Sequence, residues 1–347
     1  MTPRRDAPDR AAVAPDPAGV GSLRAMATLV AGSIATDHLM HFPGKFSDQL
    51  LAEHLHAVSL SFLVDELVIK RGGVGPNICY AMAQLGGSPV LVGAVGEDFG
   101  EYRDFLTAHG VDCKHVHVSP TLHTARFVCT TDTEMNQIGS FYAGAMAESA
   151  EFALSPIWEA TGADLAVISA YDPAAMVLHT AECRDKGLRF VADPSQQITR
   201  MEGPELRQLV EGADLLFTNA YERELLESKT GYSTADIDAQ VGTRVTTLGS
   251  KGVEIVGDFG TVHVPCAKER RKLDPTGVGD AFRGGFLTAR EWGLSWERAA
   301  QVGSLLATMV LESTGTQEYV VARDEFGKRL AESYGDDAAT EVVPHLP

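Results

Sequence analysis

A short stretch near the C-terminus, Leu273–Phe286, contains residue types and a spacing that could support group-transfer chemistry. It places Gly277, Val278 and Gly279 directly before a run that can start a helix, with the carboxylate of Asp280 at that start. The free N–H groups of a helix N-terminus carry partial positive charge, and glycines let an oxyanion approach the backbone closely. A carboxylate beside such an anion site would repel a bound phosphate unless it serves as a proton acceptor.

These features indicate phosphoryl transfer to an alcohol. The three backbone amides can hold the charge that spreads over a transferred phosphoryl group, and Asp280 can accept the proton of the attacking hydroxyl. A carboxylate with an ordinary pKa is a weak base, but it is adequate where the transition state is loose and proton loss comes late. The alternative is a glycine-rich turn in which Asp280 only caps a helix, and the string Thr-Gly-x-Gly-Asp alone leaves both open.

Other nucleotide-binding signatures are missing from the sequence. It contains no Gly-x-x-x-x-Gly-Lys-Ser/Thr loop, no His-Arg-Asp catalytic loop and no Gly-x-Gly-x-x-Gly after the first predicted strand. Sites of the P-loop, protein-kinase and dinucleotide-binding types are therefore not indicated.

The composition of the 347-residue chain argues against several other classes of function. A formal net charge of -18 disfavours binding to nucleic acid or to anionic membranes. The five cysteines are scattered without a CxxC spacing, and no apolar run approaches the ~20 residues of a membrane span, so we expect a cytoplasmic protein. Residues 1–26 are rich in Pro, Ala, Asp and Arg without the apolar block of a signal peptide, and we expect them to be disordered.

The elements that must position the candidate site alternate as in a doubly wound, mainly parallel α/β sheet flanked by helices. Strands are predicted at 28–33, 89–95, 165–170, 188–192, 215–218 and 244–248, with two long helices at 279–292 and 295–312. One domain is expected over 27–335, followed by a C-terminal tail at 336–347.

Two segments, 38–71 and 124–143, interrupt this alternation with β-like runs at 58–68, 125–131 and 138–143. We expect them to meet as a small β-sheet that forms a lid over the carboxyl ends of the main strands. The run 60–64 is apolar on both faces, which predicts either a homodimer contact around Phe62 or packing against the core of its own chain.

Two segments carry a family resemblance: Gly72–Asn77, reading GGVGPN, and Asp274–Phe286 of the stretch described first, reading DPTGVGDAFRGGF. They resemble the two signatures of the ribokinase-like (PfkB) carbohydrate and nucleoside kinases. Within that family, the adenosine kinases of the mycobacterial or actinobacterial type are similar to this chain at 32–40 (GSIATDHLM), 59–65 (SLSFLVD), 193–197 (DPSQQ) and 311–318 (LESTGTQE). The resemblance covers the chain from about residue 27 onward. It implies a ribokinase-like fold and ATP-dependent phosphorylation of adenosine at its 5′-hydroxyl, a step of purine salvage.

The resemblance also implies roles for individual residues. Asp280 matches the general base, and Gly277, Val278 and Gly279 match its anion hole. The residues that would hold the ribose hydroxyls are Ser33, Asp37, Gly73 and Asn77, and Ser61 of the lid would be a further substrate contact. Phe127 and Phe141 would lie on either side of the purine. Gln196 and Gln197 would lie near the edge of the base.

For ATP, the matching positions are Asn219, Thr247, Gly249, Gly252, Gly277 and Gly279. Glu222 matches the residue that organises Mg²⁺ through water. The resemblance leaves open a monovalent cation such as K⁺ near the 274–280 turn and the 312–317 segment.

The sequence departs from the family pattern at two positions. Cys79 stands where Ser, Thr or Ala is usual, and Pro275 where many members have Thr. Both changes are small and leave phosphoryl transfer intact.

Without the family, each assignment has a structural alternative. Asp37 could be a turn residue, Asn77 a helix N-cap, Phe127 and Phe141 lid-core aromatics, and Glu222 a surface charge. The pairs His54/His56 and His115/His117 could place two imidazoles on one strand face, but no third ligand accompanies either pair and no metal is assigned to them.

Two other functions also stay open. One is a kinase for another nucleoside or for a sugar such as ribose or fructose, against which the aromatic pair argues. The other is a nucleoside-binding regulator that has lost catalysis, which the presence of Asp280, Gly277 and Gly279 disfavours.

Overall fold

The computed structural model describes residues 27–49 and 60–347, so the disorder expected for 1–26 concerns residues outside the described chain. The strands are β1 (Ala27–Ala31), β2 (Ala35–His41), β3 (Glu66–Gly72), β4 (Ser88–Val92), β5 (Ala94–Gly96), β6 (His117–Ser119), β7 (Ala125–Thr131), β8 (Gln137–Tyr142), β9 (Ala163–Ile168), β10 (Phe190–Ala192), β11 (Leu215–Asn219), β12 (Thr243–Thr247), β13 (Val253–Gly257) and β14 (Gly260–Val264). The helices are α1 (Val74–Gln84), α2 (Gly100–Ala108), α3 (Ser155–Thr161), α4 (Pro173–Lys186), α5 (Gly203–Val210), α6 (Ala220–Thr230), α7 (Thr234–Gln240), α8 (Val278–Glu291), α9 (Trp296–Leu311), α10 (Arg323–Tyr334) and α11 (Asp336–Val342).

The main sheet has the strand order β14-β13-β12-β11-β10-β9-β1-β4. Its strands from β12 to β4 are parallel, and β13 and β14 add an antiparallel edge. Strand β1, which lies between β9 and the edge strand β4, is mostly apolar and almost fully buried, as expected for a parallel strand covered by helices on both faces. The predicted doubly wound, mainly parallel sheet is therefore confirmed.

Helix α8, which begins at the candidate catalytic stretch, packs closely against its neighbours. A Cβ atom built on Gly284 would lie only 2.5 Å from the Cβ of Ala81 in α1. Because glycine lacks a Cβ, α8 can approach α1 closely enough to place its N-terminus beside residues of that helix.

The two segments predicted to form a lid meet in a separate four-stranded sheet with the order β3-β2-β7-β8. The predicted strand at 58–68 is confirmed only at 66–68, because the chain at 60–65 is irregular and β3 begins at Glu66. Phe62 packs against Phe42 and Phe46, with ring centroids 5.0 and 4.9 Å away. Of the two interpretations of this run, packing within its own chain is the one observed for Phe62.

The C-terminal segment is not a separate tail as predicted. It forms α11 and a following 3₁₀ turn, and Ala338, Val342 and Leu346 are buried in the core of the main body. Burial of these apolar side chains explains why the segment folds against the domain. In the described residues, no helix combines the length and apolar character that crossing a membrane requires.

Candidate active site

A cavity of about 590 Å³ lies where the carboxyl ends of the parallel strands face the lid sheet. Ligands of open α/β sheets commonly bind at this edge. Of the predicted site residues, the cavity brings together Ser33, Asp37, Gly73, Asn77, Phe127, Phe141, Gln196, Gln197, Asn219, Glu222, Thr247, Gly277, Gly279 and Asp280. Residues far apart in the chain thus meet around one space.

The start of α8 forms the backbone surface predicted to bind an anion. Gly277 precedes the helix with φ 76° and ψ 0°, and a Cβ there would lie 2.7 Å from Cγ2 of Thr316, so the position requires glycine. N–H groups in the first turn of a helix lack intrahelical acceptors, and that of Val278 makes only a long bond of 3.4 Å to the Pro275 carbonyl. Asp280 lies in this same first turn.

The surroundings of Asp280 change its acidity. Burial raises the pKa of Asp280 to about 7. The charge of Arg283 and a hydrogen bond from Asn77 act to lower this pKa, whereas the charges of Asp193 and Glu222 act to raise it further. Asn77 Nδ2 donates that bond to Asp280 Oδ2 over 2.8 Å. A carboxyl group whose pKa lies near neutral pH is a better proton acceptor than an ordinary carboxylate.

A chain of hydrogen bonds fixes the orientation of the Asn77 amide. Gln317 Nε2 donates to Asn77 Oδ1 at 2.8 Å and to the Tyr102 hydroxyl at 2.6 Å. The Tyr102 hydroxyl in turn donates to the Gly72 carbonyl at 3.0 Å. Because Asn77 Oδ1 is an acceptor in this chain, Nδ2 is the atom that faces Asp280.

Two of the structural alternatives are wrong. Asn77 is inside α1, whose N-cap is Gly73, so it does not cap the helix. Asp37 is inside β2 and not in a turn. Both side chains line the cavity, in keeping with the expected ligand contacts.

The lid contributes a row of side chains to the cavity. Asp37 of β2 is the register partner of Phe127 in β7, and Phe127 is the register partner of Phe141 in β8. Register partners project from the same face of a sheet. Phe141 is 48% exposed, so it is not a buried lid-core residue. Burial raises the pKa of Asp37, with Lys70 acting in the opposite direction.

The two glutamines differ in their surroundings. Gln197 is buried, and its Nε2 donates to the Tyr171 carbonyl at 2.6 Å, while Oε1 has no partner in the described residues. Gln196 is exposed and accepts a hydrogen bond from Ser195 at 2.7 Å. Ser61 is exposed and is not among the residues that line the cavity, so the structure does not bring it to the other predicted contacts.

A second cavity, of about 810 Å³, adjoins the first. It contains five of the six residues predicted to bind ATP: Asn219, Thr247, Gly249, Gly252 and Gly279. The sixth, Gly277, lines only the first cavity of the two. Asn219, Thr247 and Gly279 line both cavities, and the two spaces therefore meet next to Asp280.

Asn219 and Glu222 form a reciprocal capping box at the start of α6. The Glu222 N–H donates to Asn219 Oδ1 at 2.8 Å, and the Asn219 N–H donates to Glu222 Oε2 at 2.7 Å. Burial raises the pKa of Glu222, and its Oε1 has only a 3.4 Å contact with Ser195. Glu222 is therefore a cavity carboxylate with one oxygen available, and not simply a surface charge.

Metal-binding clusters of three or more His, Cys, Asp or Glu residues are absent from 27–49 and 60–347. His117 is paired with Glu148 at 2.8 Å, and His54 and His56 lie outside the described residues. A magnesium ion in this cavity would therefore depend on isolated carboxylates and on the phosphates of a nucleotide.

The segments expected near a monovalent cation lie side by side. The Leu273 N–H donates to the Leu311 carbonyl at 2.9 Å, and the Gly315 N–H donates to Asp274 Oδ2 at 3.2 Å. Hydrogen bonds from Thr276 and Gly315 help to lower the pKa of Asp274 in spite of its partial burial.

Several residues of the cavity were missed in the sequence. Among them are Met146, Arg200, Arg283 and Thr316, which line the cavity directly. Asp193, which pairs with Arg283, was also missed. Arg283 had a detectable signal, since it follows Asp280 by three residues and helical spacing puts both on one face. Asp193 and Thr316 lie in the resembling segments 193–197 and 311–318, whereas Met146 has no local signal because tertiary packing alone brings it to the site.

Comparisons with known proteins match most of the chain. A family model described as pfkB family carbohydrate kinase matches residues 39–323. A nucleoside kinase from Burkholderia thailandensis, solved in complex with inosine, is 36% identical, with a TM-score of 0.77 over 89% of this chain and 98% of that one. The same kinase has also been solved in complex with ADP-inosine.

Two nucleoside kinases from archaea are also similar. Those of Methanocaldococcus jannaschii and Methanothermobacter thermautotrophicus are each 28% identical, over 264 and 312 residues. These matches cover 75% and 88% of this chain and 85% and 96% of the two relatives.

Proposed function

Since this chain belongs to the pfkB family of carbohydrate kinases, and is therefore an ATP-dependent nucleoside or sugar kinase, we propose that it phosphorylates the 5′-hydroxyl of adenosine to give AMP. The proposal assigns the first cavity to the nucleoside and the adjoining cavity to ATP.

The observation that carries the choice of a nucleoside is the row Asp37, Phe127 and Phe141 across the lid strands. It places a carboxylate, which can accept hydrogen bonds from two vicinal hydroxyls, next to two flat aromatic rings on one face of a sheet. Ribose hydroxyls would bind the carboxylate and a purine would stack on the rings. A free sugar has no use for the aromatic pair.

In the proposed reaction Asp280 accepts the proton of the attacking hydroxyl, while backbone amides at Gly277–Gly279 hold the charge of the phosphoryl group. Gly279 lines both cavities, which supports transfer of the phosphoryl group past this residue. Closure of the lid would exclude water from the site and so prevent hydrolysis of ATP.

Magnesium would enter with ATP and neutralise charge on the phosphate oxygens. Glu222 would orient it through water, since Oε2 is held by the Asn219 N–H and Oε1 is available. Mg²⁺ is usually held by one or two carboxylates, several waters and substrate phosphates, and this donor set fits that pattern. K⁺ is proposed near Asp274 and the 312–317 segment.

A homodimer through the lid is also proposed, but on a different surface from Phe62. Leu67, Ile69 and Ile138 are 55%, 58% and 46% exposed. In the register of the lid sheet they project from the face opposite to Asp37. These side chains share one face of the lid, with Leu67 and Ile69 on the edge strand β3 and Ile138 on the opposite edge strand β8. Exposed apolar side chains on one face are typical of a protein contact.

The function is tested by steady-state kinetics with Mg-ATP and six acceptors: adenosine, inosine, guanosine, cytidine, ribose and fructose. We expect the highest kcat/KM for adenosine. A higher kcat/KM for ribose or fructose would exclude a nucleoside kinase, because it would show that the aromatic pair contributes nothing to recognition.

A second candidate is a purine nucleoside kinase that prefers inosine. It is favoured by the Burkholderia thailandensis relative, which was solved in complex with inosine. In the same experiment, a higher kcat/KM for inosine than for adenosine would select this candidate.

A further inference from the structure

Arg283 is a buried cation that none of the assignments above uses. It lies in α8 one turn after Asp280, is only 7% exposed and lines the substrate cavity. The other cation among the described lining residues, Arg200, is exposed and follows the glutamine pair at 196–197. Arg283 is therefore the cation that lines the cavity on the same helix as Asp280, the proposed base.

One side of the Arg283 guanidinium forms a buried ion pair. Nη2 lies 2.6 Å from Oδ1 of Asp193, which is fully buried. The other oxygen of Asp193 accepts a hydrogen bond from the Ser169 hydroxyl at 2.5 Å. Asp193 is thus tied to the residue that follows β9, and its ion pair with Arg283 positions the guanidinium.

A second nitrogen of the guanidinium makes no hydrogen bond within the described residues. Arg283 Nε is buried without a hydrogen-bond partner in the described part of the chain. A buried donor left unpaired is costly, so such groups in native proteins call for a ligand or another partner.

The position of Nη1 identifies the region that a ligand would occupy. A Cβ built on Gly279 would lie 2.8 Å from Nη1, so the guanidinium packs against Gly279. Gly279 lines both cavities. A phosphoryl group that moves from the nucleotide cavity to an acceptor beside Asp280 must pass this point.

We propose that Arg283 is a catalytic residue whose guanidinium donates hydrogen bonds to the phosphoryl group during transfer, with Asp193 as the positioning residue that holds it. This inference rests on the proposed function for the direction of transfer. The bond from the γ-phosphorus to the ADP oxygen breaks as the bond to the acceptor oxygen forms, and the acceptor proton passes to Asp280. Arg283 exchanges no proton.

Charge gives the physical reason for such a cation. Asp193, Glu222 and Asp280 surround Arg283 and together would repel an incoming phosphoryl group. Despite burial, these neighbouring carboxylates raise the pKa of Arg283, which stays charged. A preorganised donor aimed at developing charge is typically worth about 10²–10³ in kcat.

The test compares three variants. Arg283→Met alone would leave the buried Asp193 carboxylate unpaired, so the first variant is the double variant Arg283→Met/Asp193→Asn, which removes both charges together. The second variant, Arg283→Lys, keeps the positive charge. Arg189→Met, at an exposed arginine outside both cavities, is the matched control and should keep wild-type activity.

We expect the double variant to lose about 10²–10³ in kcat with the KM for the nucleoside within about threefold of wild type. Arg283→Lys should regain part of the loss. Calorimetry should show that the double variant still binds Mg-ADP but no longer forms the complex of Mg-ADP, nucleoside and aluminium fluoride that mimics the transferring phosphoryl group.

Three results would overturn the proposal. They are a kcat within about fivefold of wild type, a retained aluminium fluoride complex, or a kcat that recovers fully at higher pH because only the ionisation of Asp280 was disturbed. All assays use the acceptor with the highest kcat/KM in the panel of six. Preference for a sugar would thus end the adenosine proposal and leave the Arg283 test intact.

Discussion

At the scale of single residues, the site is defined by how Asp280 is surrounded. The side chain lies among Asn77, Arg283, Asp193 and Glu222, two of which favour its charged form and two of which oppose it. Burial outweighs the favourable contacts, which is why its pKa rises to about 7. A base in this range is partly protonated at neutral pH, and its ionisation should therefore be visible in kinetics.

Replacement of Asp280 by asparagine keeps the shape of the side chain but removes the proton acceptor. We expect Asp280→Asn to lower kcat by on the order of 10²-fold or more. Binding of the nucleoside, measured by calorimetry, should be largely kept because the ribose and base contacts are elsewhere. Near-normal turnover would show that Asp280 is not the base.

The pH dependence of kcat/KM should report the raised pKa of Asp280. Only the ionised carboxylate accepts a proton, so activity should fall about tenfold for each pH unit below about 7. Asn77→Ala removes a hydrogen bond to the charged form and should move the midpoint to higher pH by about half a unit to one unit. A midpoint near 4 in the wild type would contradict this account.

At the scale of elements, the lid strands determine what the cavity can recognise. The register between β2, β7 and β8 sets Asp37, Phe127 and Phe141 side by side, while α8 of the main body carries Asp280, the proposed base. The proposed recognition residues thus lie in the lid and the proposed base in the main body, and they meet because the lid faces the carboxyl ends of the main strands.

The contribution of the aromatic pair can be measured separately from catalysis. Phe141→Ala should raise the KM for adenosine by about 5- to 100-fold, since stacking of a base on an aromatic ring is worth about 1–3 kcal/mol. The kcat should change little, because Phe141 lies in the lid and not at the start of α8. Any turnover of ribose should be unaffected, and an equal loss with ribose would argue against stacking.

At the scale of the whole molecule, the expected ribokinase-like architecture is confirmed by the similarity to solved kinases over most of the chain. The assembly of the molecule is a proposal, and the structure moves it from Phe62 to the outer face of the lid. Phe62 is engaged with Phe42 and Phe46, whereas Leu67 and Ile69 project outward and are more than half exposed.

A charge on this outer face should disrupt the proposed dimer. We expect wild-type protein to have the mass of a dimer by light scattering and Ile69→Asp to have the mass of a monomer, because a dimer would bury the carboxylate without a partner. Leu178→Asp, at an exposed apolar position on α4, is the control and should remain dimeric. A monomeric wild type, or a dimeric Ile69→Asp variant, would contradict the proposal.

By itself the sequence determined the alternating α/β pattern and the two lid segments, and it located the stretch Leu273–Phe286 that is proposed to carry the reaction. These depend on local signals: glycines before a helix start, hydrophobic periodicity and β-like runs. Strands β7 and β8 and helices α8 and α9 lie within about one residue of their predicted bounds.

Only the tertiary structure decided how distant groups act on one another. The raised pKa of Asp280 depends on burial and on Asn77, Asp193 and Glu222, which are tens to about two hundred residues away in the chain. The packing of Phe62 and the burial of the C-terminal helix likewise arise from long-range contacts. Burial and electrostatic coupling depend on distances through space, and a pattern of neighbours along the chain does not contain them.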